Sequence, residues 1–151
     1  MILALRVEID ASPEVVWSYV SDPEKVREWH GGIKAIVPIS AGVWSAGSQL
    51  RVRYEFRARE SNYLAEVLDF ERPLRLVIHL TGGNMPLGGY MQEVYELSAS
   101  ASGTILKQSL ILYKYGTSLF KEALIFFLLH LVKSRRKKYL FKLKELAEGA
   151  D

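Results

Sequence analysis

Two polar residues, Glu93 and Gln108, occupy positions that otherwise belong to apolar side chains. Glu93 alternates in phase with Tyr95, and Gln108 alternates in phase with Leu106 and Leu110. If the apolar residues face inward, both polar residues face inward too, and an antiparallel hairpin brings them close together. We expect desolvation to raise the pKa of such a carboxylate and to suit it for general acid or base catalysis. The alternative is a bulge that turns Glu93 to solvent.

The inward positions of the other predicted strands supply the remaining candidates for ligand contact. Tyr54, together with Gln108, is predicted to orient a substrate if the protein is an enzyme. The predicted ligand-binding residues are Tyr54, Phe56, Leu76, Ile78, Glu93, Tyr95, Gln108, Leu110, Phe127 and His130. The alternative is that these side chains, several of them bulky, simply fill the interior.

No metal site or cofactor is expected. The chain has no cysteine, which excludes thiolate ligands and a cysteine nucleophile. The three histidines, His30, His79 and His130, lack the spacing of metal ligands, and we interpret His30 and His79 as chance surface residues. No nucleophile elbow, zinc pattern or dinucleotide-binding glycine motif is present.

Local patterns predict the elements that must position these residues. Two short helices begin at Pro13 and Pro23, behind the capping residues Ser12 and either Ser21 or Asp22, and one long helix covers about 117–147. A turn at Ser61-Asn62 is expected to place Arg57 opposite Glu66. Alternating apolar residues predict strands over 2–10, 33–39, 50–59, 63–70, 74–80, 90–99 and 104–113. This order indicates an α+β fold.

The segment from Val7 to Trp29 resembles the entry motif of the START-related, birch-pollen-allergen-like (SRPBCC) superfamily. The similarity lies in a small residue and Pro13 before an apolar helix with Val16-Trp17, then Asp22-Pro23, and Trp29 at the end of the second helix. Two further stretches, Glu71-Arg72-Pro73-Leu74-Arg75-Leu76 and Gly103-Thr104, fit the same superfamily. The resemblance implies a helix-grip fold, in which a curved seven-stranded antiparallel sheet wraps a long C-terminal helix and leaves a cavity. Because the superfamily includes lipid and hormone carriers, polyketide cyclases, ring-hydroxylase subunits and chaperone activators, it does not select one function.

The long helix carries an unusual distribution of charge and apolar residues. Seven of the twenty basic residues lie in 133–151, clustered over 133–144, against three acidic ones. Its first half, 119–132, has a second apolar face besides the expected core stripe. That face could be covered by the short helices, close a ligand cavity, form a homodimer or touch an anionic membrane. Nucleic acid is not an expected partner, because the cluster lacks interleaved aromatic residues.

Length and composition limit the classes of protein. A chain of 151 residues with 49% apolar and 25% charged residues is typical of one globular domain, covering 1–151. Without a signal-peptide pattern or an apolar run of about 18 residues, a cytoplasmic location is expected. The leading hypothesis is binding or transport of an apolar small molecule. The alternatives are a cofactor-free cyclase or dehydratase that uses a pocket carboxylate, and a peripheral membrane protein that uses the basic helix.

Overall fold

Seven antiparallel strands form one curved sheet, which packs against a long C-terminal helix in the predicted helix grip. The strand order is β1-β7-β6-β5-β4-β3-β2. The computed structural model describes residues 2–42, 44–113 and 119–150, with the side chains of 119–129 excluded. The elements are β1 (Ile2–Ile9), α1 (Pro13–Ser21), α2 (Pro23–Trp29), β2 (Ile33–Pro38), β3 (Gln49–Phe56), β4 (Arg59–Glu71), β5 (Arg75–Gly82), β6 (Tyr90–Ala99), β7 (Thr104–Tyr113) and α3 (Leu119–Glu148).

Both short helices begin as their capping residues predict. The Ser12 hydroxyl accepts a hydrogen bond from the Val15 amide at 3.3 Å, and the Asp22 carboxylate accepts one from the Glu24 amide at 3.0 Å. A proline follows each cap, where its missing N–H has no cost. These caps fix where α1 and α2 begin, and thus hold both helices over one end of the core.

The C-terminal half of α3 is a core helix. Leu140, Leu143 and Ala147 are buried along one stripe, as the helical spacing predicts. The end of the helix is also tied to β1, because the Lys144 ammonium donates to the Glu8 carbonyl at 2.7 Å. The apolar residues expected on the first half of the helix, 119–129, have side chains outside the described part of the chain.

The β3–β4 turn lies at Arg57-Ala58, so the predicted turn at Ser61-Asn62 is wrong. Both residues have left-handed backbone angles, with φ of 51° and 60°, although neither is glycine or asparagine. The strands consequently extend further than expected, and Phe56 pairs with Arg59. Glu66 pairs with Gln49 rather than facing Arg57. Arg59 therefore shares the inner face of the sheet with Phe56.

Strands β6 and β7 pair without a register shift over their full lengths, so the bulge considered at Glu93 does not occur. Their register places Tyr95 opposite Gln108 and Glu93 opposite Leu110. Each of these four residues is 3% exposed. The β6–β7 register thus brings the two predicted polar residues into the interior together. Among the helices described, none combines the length and the hydropathy that a membrane crossing requires.

The register of these two strands depends on Gly103 at their turn. A Cβ atom at Gly103 would lie 2.5 Å from the Ile9 carbonyl oxygen, and its φ is 154°. We expect Gly103→Ala to lower the free energy of unfolding by about 3 kcal/mol or more, since both steric overlap and backbone strain oppose it. Chemical denaturation monitored by circular dichroism measures this loss.

Gly47→Ala is the matched control. Gly47 also has a positive φ, of 91°, but no described atom lies within 4 Å of its would-be Cβ. We expect a loss of about 1 kcal/mol from backbone strain alone. Equal losses in the two variants would contradict the steric argument for Gly103.

Candidate functional site

A cavity of about 760 Å³ lies between the β3–β4 hairpin, strands β6 and β7, and helix α3. Its walls are mainly aromatic and aliphatic. The apolar and aromatic residues that define it include Tyr54, Tyr63, Met91, Leu110, Leu112 and Val132. Such an apolar concavity suits an apolar ligand, because burying apolar surface is favourable.

The predicted ligand-contact residues separate into distinct groups. Tyr54, Phe56 and Leu110 line the cavity. Ile78, Tyr95 and Glu93 line a much smaller adjoining space of about 30 Å³, which Tyr54 also borders.

The other predicted contacts lie elsewhere. Leu76 is fully buried in the core, and Gln108 is buried behind Tyr95. His130 is exposed and is not among the residues that line either space. The Phe127 side chain lies outside the described part of the chain. The structure therefore brings most of the predicted β-strand residues around the two spaces, whereas Leu76, Gln108 and His130 line neither of them.

Glu93 lies at the centre of a buried hydrogen-bond network. Its Oε1 accepts from the Tyr54 hydroxyl at 3.0 Å and from Nη2 of Arg136 at 2.7 Å. Its Oε2 accepts from the Tyr95 hydroxyl at 2.8 Å, and the Gln108 amide donates to that hydroxyl at 3.1 Å. Residues of β3, β6 and α3 thus meet at one carboxylate, and β7 joins the network through Gln108. A buried charge needs such partners if it is to remain ionised.

Arg136 is the residue that the sequence interpretation misplaced. We counted it in the basic cluster over 133–144, whereas it is only 7% exposed and lines the cavity. A usable signal was present: Arg136 lies four residues after Val132 and four before Leu140, within the apolar stripe of the helix. An arginine in such a stripe indicates a buried acidic partner, which here is Glu93.

This partner overturns the expected pKa of Glu93. Burial raises the pKa of the carboxyl group, as predicted, but the positive charge and hydrogen bonds of Arg136 lower it more, to about 2. Glu93 is therefore ionised at neutral pH and holds no proton to donate. Burial, reinforced by the charge of Glu93, also raises the pKa of Tyr54 and of Tyr95, so both remain hydrogen-bond donors.

His30 is buried next to this network, rather than on the surface as we interpreted it. The ring is 3% exposed, lies 4.7 Å from the Tyr139 ring and 5.5 Å from the Tyr54 ring, centre to centre. Burial lowers the pKa of His30 to about 4, against the attraction of Glu93, so the imidazole is neutral at pH 7. Nothing in its local sequence, Trp29-His30-Gly31, distinguishes it from a surface histidine.

Three buried polar atoms of this region have no hydrogen-bond partner in the described part of the protein. They are both ring nitrogens of His30 and Nη1 of Arg136. Buried polar atoms are nearly always paired, so these three atoms are exceptions. Among the described residues, no three His, Asp or Glu side chains are grouped as a metal site requires.

Comparison with known proteins identifies a family whose model matches nearly the whole sequence. Residues 3–148 match the family described as polyketide cyclase / dehydrase and lipid transport. No curated protein matches the sequence significantly.

Solved structures share the fold at low sequence identity. A protein from Thermus thermophilus is 15% identical with a TM-score of 0.80, over 100% of this chain and 99% of that one. Ara h 8.0201 is 13% identical with a TM-score of 0.72, over 97% of each chain. The Aha1 dimer from Colwellia psychrerythraea is 17% identical with a TM-score of 0.68, over 98% of this chain and 96% of that one.

The Glu93–Arg136 pair should show strong energetic coupling. We expect Glu93→Gln or Arg136→Met alone to lower the free energy of unfolding by about 3–5 kcal/mol, because each leaves one charge buried and unpaired. The double variant should lose clearly less than the sum of the two losses. Urea denaturation of the four proteins gives the coupling energy.

The exposed pair Arg75–Asp69, 3.1 Å apart, is the matched control. Its cycle should give a coupling of less than about 1 kcal/mol. Additive losses in the Glu93–Arg136 cycle would contradict the view that these two residues act as a unit.

His30 should make the protein less stable in mild acid. Because the pKa of His30 is about 4 in the folded protein and 6.5 in the unfolded chain, only the unfolded chain gains this proton as the pH falls below 6.5. The wild type should lose about 2 kcal/mol of stability from this residue between pH 7 and pH 5. His30→Phe preserves the packing against Tyr139 and should lose correspondingly less, as measured by urea denaturation at both pH values. An unchanged pH dependence in the variant would show that His30 is not the group responsible.

Proposed function

Because the chain belongs to the polyketide cyclase / dehydrase and lipid transport family, we propose that it binds or transports one apolar small molecule between the sheet and α3. The observation that carries the proposal is the cavity of about 760 Å³ with its aromatic and aliphatic walls. Ligand pockets for small organic molecules are typically about 300–1,000 Å³. The cavity therefore has the size and the chemistry for such a ligand.

The polar network supports a structural role at the inner wall of the cavity. Tyr54 and Arg136 belong both to the cavity lining and to the network around Glu93. Glu93 fixes these two side chains and so shapes the wall that the ligand contacts. We assign Glu93 as a positioning residue rather than an acid.

The enzymatic alternative, a cofactor-free cyclase or dehydratase, is less well supported. A general acid must carry a proton at working pH, and the pKa of Glu93 is about 2 because Arg136 is adjacent. A carboxylate with such a low pKa is also a weak base. The network thus favours binding over proton transfer through Glu93.

The membrane contact predicted from the basic helix is not part of this proposal. Arg136, one of its expected cations, is buried, and most of the apolar face that was to accompany it lies on side chains outside the described residues. Homodimerisation and a cytoplasmic location stay predictions from the sequence.

Filling the cavity should weaken binding of an apolar dye. We expect Nile red to bind the wild type with a blue-shifted emission, and Leu110→Trp and Met91→Trp each to weaken its affinity at least tenfold by occupying the same space. Fluorescence titration measures the affinity, and circular dichroism verifies that each variant is folded.

Leu68→Trp provides the control, because Leu68 is 45% exposed on β4 and is not among the cavity-lining residues. Its dye affinity should equal that of the wild type. Wild-type affinity in both folded cavity variants would overturn the proposed site.

A further inference from the structure

Three exposed arginines lie at the outer end of the cavity. Arg57 and Arg59 come from the β3–β4 hairpin and line the cavity, and Arg135 comes from α3. All three are exposed. Within the described part of the chain, none of them forms a salt bridge, whereas Arg136, the next residue on the helix, is paired with Glu93.

Two of these guanidinium groups converge on one aromatic ring in the cavity wall. The Cζ atom of Arg135 lies 4.7 Å from the centre of the Phe56 ring, and that of Arg57 lies 5.9 Å from it. Both distances are within the range of cation–π attraction. Phe56 thus brings two positive charges together at the cavity mouth, one from the β3–β4 hairpin and one from α3.

The β3–β4 hairpin also places Arg59 at the cavity mouth, through a turn with a strained backbone. Arg59 pairs with Phe56 across the β3–β4 ladder and therefore lies on the inner face of the sheet, where an apolar residue is ordinary. The turn that produces this register holds Arg57 and Ala58 at positive φ, which costs about 1 kcal/mol or more per residue. Strained backbone of this kind is typical of functional sites.

The charge balance of the mouth is positive. Glu60 is the one acidic residue among those described as lining the cavity, and it forms no salt bridge with the three arginines there. Among the described lining residues, Arg57 and Arg59 outnumber Glu60, and Arg135 adds a positive charge next to the lining residue Phe56. This opening attracts a negatively charged group, while the apolar walls accept an apolar chain.

We infer that the ligand is an amphipathic anion, with its apolar chain in the cavity and a carboxylate or phosphate group between Arg57, Arg59 and Arg135. Guanidinium groups suit both anions, because their planar N–H donors match carboxylate and phosphate oxygens. This inference rests on the proposed function and adds to it the headgroup and the orientation of the ligand.

The test compares three probes with the same twelve-carbon chain: dodecanoate, dodecyl phosphate and dodecanol. Isothermal titration calorimetry at pH 7 and low salt should show that both anions bind about tenfold more tightly than dodecanol, and that the preference shrinks at high salt. In Arg57→Gln/Arg135→Gln the preference should disappear while dodecanol still binds. In Arg57→Lys/Arg135→Lys, which keeps the charge, most of it should return.

Lys137→Gln/Lys138→Gln is the matched control. It removes two positive charges from exposed positions of the same helix that neither line the cavity nor have a described contact with the Phe56 ring, and it should keep the preference. Equal affinity of the wild type for all three probes would overturn the anionic headgroup while leaving the apolar cavity site intact. A preference lost equally in both Gln variants would show only a general charge effect and would overturn the assignment to the rim. Failure of all three probes to bind would count against the proposed function itself.

Discussion

The contact between Glu93 and Arg136 constrains the rest of the structure. A carboxylate on β6 and a guanidinium on α3 meet at 2.7 Å in the interior, where both side chains are almost entirely removed from water. Burial of either charge alone would cost several kcal/mol, so the pair can exist only with the helix at one position and one rotation against the sheet. The hydroxyls of Tyr54 and Tyr95 complete the carboxylate's coordination. Tyr54 extends the constraint to β3, and Gln108, which donates to the Tyr95 hydroxyl, extends it to β7.

The same pair lies where the filled core gives way to the cavity. On its C-terminal side, α3 buries Leu140, Leu143 and Ala147 against the sheet in a packed core. On the other side, Val132 and Arg136 line the cavity. One straight helix cannot fill the concave face of a strongly curved sheet along its whole length. At this boundary the ion pair, rather than apolar packing, holds the helix in place.

The sequence predicted much of the fold and about half of the site, for identifiable reasons. Strands β6 and β7 pair without a bulge and have a glycine at their turn, so the parity with Tyr95, Leu106 and Leu110 was enough to place Glu93 and Gln108 inside. The β3–β4 turn could not be placed, because Arg57 and Ala58 are residues that seldom adopt left-handed backbone angles. That error hid Arg59, whose inner position follows only from the true register.

The pKa of Glu93 was predicted with the wrong sign because burial was visible in the pattern and its partner was not recognised. Burial alone raises a carboxyl pKa, whereas an adjacent guanidinium lowers it. Helical spacing could have identified this partner, because Arg136 lies on the apolar stripe between Val132 and Leu140. A run of basic residues along a helix is therefore better interpreted one residue at a time, by its angle around the axis.

The angle around the helix axis determines the different environments of Arg135 and Arg136. Consecutive residues on a helix point about 100° apart, so one side chain enters the core and its neighbour does not. The charge of Arg136 is balanced by that of Glu93. Arg135 lies over the Phe56 ring and forms no salt bridge with a described residue. Because the ion pair sets the rotation of α3, it also sets which arginine reaches the cavity mouth. The buried contact thus determines both the inner wall of the cavity and the charge at its entrance.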